Sequence, residues 1–298
     1  MRARHTLIVT VMVALAATSV AAQGRGNAYG RGRSKPAQPT AGTTSSTASA
    51  SISPETSVAI RQFGAWLDDA SLLGPGHGWV SVSLGHSRSL GTRQFDVPVI
   101  EAGMALTRRA QFGGTVPYYR LNFTDGTGVA GFGDVYLNLK YSLLDPEESP
   151  SKFGVAVAPL VEVLSAPDPA TGDRWAWAVP VSLEVRRPAY RVYGSAGYFS
   201  RGVIFSSGAV EVPLTSRVVV TGALIQMRSL NQNLAADALA LPKSRLDVAG
   251  AAAYFLTPSV ATFGSIGRTI SQSGPLGTGL TLNGGVSISL ARVGTPHP

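Results

Sequence analysis

Histidine, the commonest general base of enzymes, is scarce in this sequence. Four His residues occur among 298, at His5, His77, His86 and His297. His86 is followed by Ser87, but adjacent residues of a strand point to opposite faces, so the two are not placed to act as base and nucleophile. We therefore predict that the protein has no catalytic residue and is not an enzyme.

Metal, cofactor and nucleic-acid sites are not indicated either. The chain has no Cys, and its His and carboxylate residues do not cluster at ligand spacing. Its Gly-rich runs, 126–128 and 131–133, lack the strand–loop–helix context and the Lys-Ser/Thr pair of phosphate-binding loops. The net charge of +8 owes much to the basic residues before Thr56, and the basic residues form no stripe with interleaved aromatics. We predict no cofactor, no metal and no nucleic-acid partner.

Many of the other charged residues lie in an alternating pattern. Over Asp134–Leu144, polar residues at even positions alternate with mostly apolar residues at odd positions. Residues 174–186 and 280–290 show the same period of two. This period predicts strands that have one polar and one apolar face. A soluble sandwich alternates in the same way, so alternation alone leaves that alternative open.

Counting such segments predicts twelve strands. They cover residues 79–88, 94–106, 110–120, 132–144, 153–163, 175–186, 190–201, 203–213, 217–229, 245–256, 260–270 and 279–291. Most are close to the 9–11 residues that a tilted strand needs to cross a bilayer. The connections after even-numbered strands are mostly tight turns, whereas the others are mostly longer and rich in Gly, Asp, Asn and Pro. This parity is typical of bacterial outer-membrane barrels and puts both termini on the short-turn side.

Strands that cross a membrane must form a closed sheet. In hydrocarbon every backbone N–H and C=O must be paired within the protein, so the sheet has no open edge. We therefore predict an all-β fold, a transmembrane antiparallel up-and-down β-barrel. Tyr118, Trp175 and Trp177 are expected in an aromatic girdle at the outer lipid interface. In a regular strand Val97 and Val99 would share one face with the charged Glu101. A bulge near Pro98 is expected, because it would resolve this conflict.

The polar faces of this barrel would line its lumen. The charged side chains predicted there are Asp134, Glu162, Arg174, Arg201, Arg245, Asp247 and Arg268 in the outer half, and Lys140, Glu184, Arg186, Arg191 and Glu211 in the inner half. Asp247 is expected nearly opposite Arg268, and Glu184 nearly opposite Arg191. As a ring, such charges filter solutes by sign. As single pairs they hold strands in register, each contributing about 0.2–1 kcal/mol.

The remaining segments are predicted to lie outside the barrel. Residues 1–22 have the basic start, short apolar run and small cleavage residues of a signal peptide. Residues 23–52 are predicted to form a flexible periplasmic linker, because they are rich in Gly, Ser, Thr and Ala. A short leader follows over 53–77, with a helix over Ser53–Asp69 that packs at the barrel opening or partly plugs it. The barrel is expected over 78–293 and a tail over 294–298.

One strand resembles a known family. Gly131-Phe132-Gly133-Asp134, followed by Leu137, Leu139, Lys140 and Tyr141, is similar to the G-x-G-D…K-Y strand of the outer-membrane family named for the MetA pathway of phenol degradation. The preceding hairpin is similar in rhythm, and the likeness extends loosely over 78–291. The resemblance implies an outer-membrane barrel that passes small, often hydrophobic compounds. Many such barrels end on an aromatic residue, whereas this chain continues past Leu290.

Together these features predict an exported protein of the outer membrane of a Gram-negative-type bacterium. Its expected partners are outer-membrane lipid, a small-molecule solute and the barrel-assembly machinery. The predicted function is a narrow pore or transporter for small molecules, with an open or a plugged lumen. A non-conducting structural or adhesion barrel is the main alternative, and an outer-membrane hydrolase or a secreted soluble β-sandwich is less favoured.

Overall fold

The computed structural model describes residues 67–89, 92–123, 125–166, 172–230, 243–273 and 279–290. In these residues the chain forms one sheet of twelve antiparallel strands, two of them interrupted. Strands β1 to β12 are Gly78–Ser89, Thr92–Ala105, Ala110–Phe123, Gly128–Phe132 with Val135–Leu144, Phe153–Val157 with Leu160–Val163, Trp175–Arg187, Tyr190–Phe199, Val203–Pro213, Val218–Ser229, Ser244–Thr257, Val260–Ser273 and Leu280–Leu290. The predicted strand bounds are confirmed to within a few residues.

The sheet closes on itself. Each strand pairs with its neighbours in sequence, and β1 pairs with β12 from Gly78↔Leu290 to Arg88↔Leu280. The interruption in β5 is bridged by the backbone, because Leu139 N–H donates to the Pro159 carbonyl at 3.0 Å. The protein is therefore a closed up-and-down barrel, as predicted.

The two faces of the wall differ in the sense expected for a membrane barrel. On β6 the odd-numbered residues from Trp175 to Leu183 are apolar and 40–59% exposed. The even-numbered Ala176, Ala178, Ser182 and Glu184 are at most 3% exposed. A continuous apolar outer surface of this kind is unfavourable in water and favourable in lipid. The soluble-sandwich alternative is wrong, because the sheet is a single closed barrel with its polar face inside.

The predicted bulge at Pro98 is present. The pairing of β2 with β3 shifts register between Asp96 and Val99. As a result Val97 is 44% exposed, whereas Val99 and Glu101 are 5% and 4% exposed and face the lumen. The extra residue thus lets one strand keep apolar residues outside and a carboxylate inside.

Residues 67–77 precede β1 and have no regular secondary structure. We call them the lumen segment. The predicted helix over Ser53–Asp69 lies outside the described residues except for its last three, and those three are not helical. The predicted signal peptide, linker and tail also lie outside the described residues. Among the described residues, no helix is long and apolar enough to span a membrane.

Candidate functional site in the barrel lumen

The lumen segment enters the barrel from the short-turn end. Gly76 N–H donates to the Ala105 carbonyl at the rim, at 2.9 Å. From there the chain runs inward, and every residue from Leu67 to Leu73 is buried. The inner half of the lumen is therefore occupied by the protein's own chain.

Lys140 is the buried cation that meets this segment. It lies on the polar face of β4, where the period of two aims it inward, and its side chain is fully buried. Its Nζ donates to Asp68 Oδ1 at 2.9 Å and to Asp69 Oδ1 at 2.7 Å. A buried charge is stable only when it is paired, so Lys140 and the two aspartates depend on each other.

Arg191 joins the segment to three strands. From β7 its guanidinium donates to Asp69 Oδ2 at 2.7 Å and to Glu211 on β8 at 2.8 Å. It also lies 3.5 Å from Glu184 on β6, and its Cζ is 4.7 Å above the ring of Tyr193. The planar guanidinium suits this site because it offers several donors in fixed directions.

Glu184 holds the segment from the other side. It accepts hydrogen bonds from Ala70 N–H, at 3.2 Å, and from the Ser71 hydroxyl. Arg186 donates to Glu184 at 2.5 Å and also pairs with Glu147 in the turn between β4 and β5. We call this cluster of linked ion pairs the inner network; its members are Asp68, Asp69, Lys140, Glu147, Glu184, Arg186, Arg191 and Glu211.

Apolar and neutral contacts extend the inner network along the segment. Leu67 packs in a buried cluster with Tyr193, Ala209, Ala223 and Ile225. At the other end of the segment, Leu73 packs with Trp79 and Ala105 near the rim. The segment is thus held by apolar contacts at both ends and by charges between them.

Charges in the outer half of the lumen form smaller groups. Glu162 accepts from Arg201 at 2.8 Å and from the Tyr136 hydroxyl at 2.6 Å. Asp134 accepts from the backbone N–H and the hydroxyl of Ser165, at 2.8 and 2.9 Å. Arg245 and Asp247 form a pair within β10 at 2.8 Å. These groups belong to the strands and loops of the wall.

An apolar cluster lies beside these outer charges. It comprises Leu160, Ala178, Phe199 and Phe205, with Tyr136, Val203 and Met227 packed against it. The rings of Phe199 and Phe205 are 5.8 Å apart. All four core members point inward and are at most 5% exposed, so they form a packed apolar cluster within the outer half of the lumen.

One of the predicted lumen charges lies on the other side of the wall. Arg268 is exposed on the outer face, because it has the parity of Ile266 and Ile270; its backbone pairs with Val248, while Asp247 pairs with Thr269. Arg174 is exposed at the outer end of β6, just before the strand begins, and has the parity of the inward-facing Ala176. The expected proximity of Glu184 and Arg191 is found, whereas that of Asp247 and Arg268 on one face is wrong.

The outer face carries the residues that the sequence assigned to lipid. Tyr118, Trp175 and Trp177 are 39–59% exposed there. His86 is also on this face, with its ring 4.6 Å from that of Phe95, while Ser87 has the lumen parity. Among the described residues, no group of three or more His, Cys, Asp or Glu residues is arranged to hold a metal ion.

Sequence reasoning missed the residues of the lumen segment that complete the inner network, Asp68, Asp69 and Ser71. A signal was present, since two adjacent acids stand in a short stretch that is bounded by Leu67 and Leu73. Two adjacent carboxylates that are buried require cationic partners. The inward-facing Lys140 and Arg191 were the cations that could supply them.

Solved structures share this architecture. An outer membrane channel from Pseudomonas putida F1 superposes with a TM-score of 0.57 and 15% identity, over 74% of this chain and 98% of that one. The NanC porin matches with a TM-score of 0.53 and 12% identity, over 71% of this chain and 100% of that one. The KdgM porin matches with 0.50 and 8%, over 71% and 99%. The fold is that of outer-membrane porins and channels.

At these identities the likeness shows the fold alone. No protein-family model matches the sequence. No curated protein matches it either. The functional argument therefore depends on the lumen itself.

Proposed function

We propose that this protein is a narrow outer-membrane pore or transporter for small molecules, in which the lumen segment forms the inner constriction. The observation that carries the proposal is the division of the wall into an apolar outer face and a polar, charged lumen. A path of this kind is what a solute needs to cross a bilayer through a barrel. Twelve strands enclose more space than the eight whose interior side chains fill a barrel.

The solute class is the finer part of the proposal. The partly buried members of the apolar cluster, Tyr136, Val203 and Met227, would contact the hydrophobic part of a small solute, and Glu162 and Arg201 beside them would orient a polar group. Membership in the family named for the MetA pathway belongs to this proposal as well. It is supported by the resemblance over 131–141 and would carry the same expectation of small, often hydrophobic compounds.

The inner network supplies the test. Replacing both Asp68 and Asp69 by Asn leaves Lys140 and Arg191 without two of their anions. An uncompensated buried charge costs about 3–5 kcal/mol, which favours release of the lumen segment. We expect the open fraction in planar bilayers to rise about tenfold or more, since about 1.4 kcal/mol corresponds to a factor of ten. Uptake of small aromatic solutes into proteoliposomes is expected to rise in parallel.

The control is Asp125→Asn. Asp125 is an exposed acid in the loop between β3 and β4, where its described contacts are with Thr127. It is expected to leave conductance unchanged. Equal effects of the control and the double variant would mean that the change does not come from the lumen.

A non-conducting structural barrel is the second candidate, and the dense filling of the inner lumen favours it. Neither the native protein nor the Asp68→Asn/Asp69→Asn variant would then conduct ions or admit solutes. That result would contradict the proposed pore, provided that both proteins still show the heat-dependent gel mobility of a folded barrel.

A further inference from the structure

Arg268 is one of several arginines on the outer face of the barrel near its outer end. Arg88, Arg93 and Arg120 are also exposed, and each has outward parity. Arg88 pairs directly with Arg93 across β1 and β2. We call Arg88, Arg93, Arg120 and Arg268 the arginine row.

The strand register places these residues beside one another along the hydrogen-bonding direction of the sheet. Arg268 and Arg88 both pair with Leu280, from opposite sides of β12. Arg93 pairs with Asn122 on β3, and Arg120 Nε donates to the Asn122 side chain at 3.3 Å. Since neighbouring strands are about 4.8 Å apart, the row spans five strands and roughly 20 Å.

The row carries uncompensated positive charge. Arg88, Arg93 and Arg268 form no ion pair with any described residue. In the described strands all acidic residues have the lumen parity: Asp96, Glu101, Glu162, Glu184, Glu211 and Asp247. Like charges directly opposite on neighbouring strands are destabilising, so the Arg88–Arg93 pair is unfavourable unless an anion lies between them.

The surroundings of the row define the anion. Just below it, on the same face, lie the apolar side chains of Phe95, Leu282 and Ile266, which are 36–43% exposed. A ligand that satisfies both layers has anionic groups at the level of the arginines and hydrocarbon chains beneath them. Guanidinium groups bind phosphate oxygens through paired, charge-assisted hydrogen bonds.

We propose that the arginine row binds the phosphate groups of a phosphorylated glycolipid in the outer leaflet of the membrane. The row lies at the end of the barrel with the longer connections, which is the extracellular end in barrels of this type. It faces lipid and not the lumen, so this site is independent of whether the pore conducts. The bound phosphates would offset the repulsion between Arg88 and Arg93.

The test compares bisphosphorylated lipid A with the same lipid A from which the phosphates have been removed, each titrated against the folded barrel in detergent. Native mass spectrometry measures the bound fraction. We expect the native protein to prefer the phosphorylated form by about tenfold or more, and Arg88→Gln/Arg93→Gln to reduce that preference to about threefold or less. Equal binding of the two lipids by the native protein would overturn the proposal.

The matched control is Arg108→Gln/Arg109→Gln, which also removes two neighbouring exposed arginines. Both lie in the turn between β2 and β3, at the inner end of the barrel and outside the row. This variant is expected to keep the preference, and a loss equal to that of the test variant would contradict a local site. If the test variant does not fold, Arg268→Gln takes its place. We expect this variant to lose part of the preference for the phosphorylated lipid. An unchanged preference would contradict the proposal.

Competition with excess inorganic phosphate separates the two sources of the anion. A lipid site uses the acyl chains as well, so free phosphate is expected to leave the bound lipid in place. Full displacement by free phosphate would show a plain anion site and overturn the assignment to a lipid.

Discussion

The inner half of the lumen contains more charged residues than the outer half, and the two halves arrange them differently. In the inner half, Asp69 is shared between Lys140 on β4 and Arg191 on β7, so charges of distant strands meet on one segment. In the outer half, Arg245 pairs with Asp247 two residues away on its own strand. The inner charges therefore bind a segment that lies outside the strands of the wall, whereas the outer charges pair within the wall.

In the proposed pore this difference would separate two properties. The strength of the inner network would set how often the lumen segment leaves the barrel. Charge in the outer half would set which solutes enter, because it would stay in place when the segment leaves. Substitutions in the two halves should therefore change different measurements.

The largest effect is expected from Lys140→Met, which leaves Asp68 and Asp69 without their shared cation. Breaking a buried pair by removing one partner costs about 3–5 kcal/mol. Because the chain has no Cys, a single Leu72→Cys reports on the position of the segment. Thiol labelling at this site is expected to accelerate by about tenfold or more.

Lys152→Met in the same Leu72→Cys background is the control, since Lys152 is an exposed residue of the turn between β4 and β5. Its labelling rate should match that of the background. An unchanged rate in Lys140→Met would mean that the inner network does not hold the segment.

An intermediate effect is expected from Gly154→Ala. A Cβ at this position would lie 2.6 Å from Pro146 Cδ and 3.0 Å from Ala70 Cβ, so both the turn and the segment must shift. Overpacking of this kind costs about 1–3 kcal/mol. Labelling at Leu72→Cys should accelerate, and less than in Lys140→Met.

Gly208→Ala is the comparison for this substitution, because a Cβ there meets no atom within 4 Å. It is expected to behave as the background does. If both alanine variants accelerate labelling equally, the close contact of Gly154 with Ala70 is not what positions the segment.

The smallest effect on stability is expected in the outer half, from Glu162→Gln. Its partner Arg201 has a side chain that is 38% exposed, so the lost ion pair contributes about 1 kcal/mol or less to stability.

Glu162→Gln also removes a negative charge from the lumen. The ion preference of pores opened by Asp68→Asn/Asp69→Asn should therefore shift toward anions, while the labelling rate of the segment stays constant. Glu148→Gln, in an exposed turn at the inner end, should change neither quantity. A changed labelling rate in Glu162→Gln would mean that the outer charges also hold the lumen segment.

Much of the fold was predictable because lipid and lumen impose a strict period of two. Asp134 to Leu144 reveals its face residue by residue, and the shared parity of Val97 and Glu101 predicts the bulge near Pro98. Position along the sequence also gave five charges of the inner lumen, since parity and distance from a tight turn determine where a side chain lies.

The rest depended on features that a period of two does not encode. The prediction for Arg268 is wrong because pairing across the turn does not determine the face of a residue, whereas its spacing between Ile266 and Ile270 does. Register shifts beside Asp247 and Phe255 make such pairing unreliable. The lumen segment follows no period at all, because its conformation is set by partners on other strands.

The separation along the chain between the lumen segment and its partners has a consequence for biogenesis. Asp68 N–H donates to the hydroxyl of Ser195, 127 residues later, and Asp69 meets Arg191, 122 residues later. The segment is synthesised before the strands that hold it, so its docking site forms only when those strands have paired. Docking is therefore expected at the end of assembly, after β6, β7 and β8 have joined the wall. A newly closed barrel would pass through a stage in which the inner end of its lumen is unfilled.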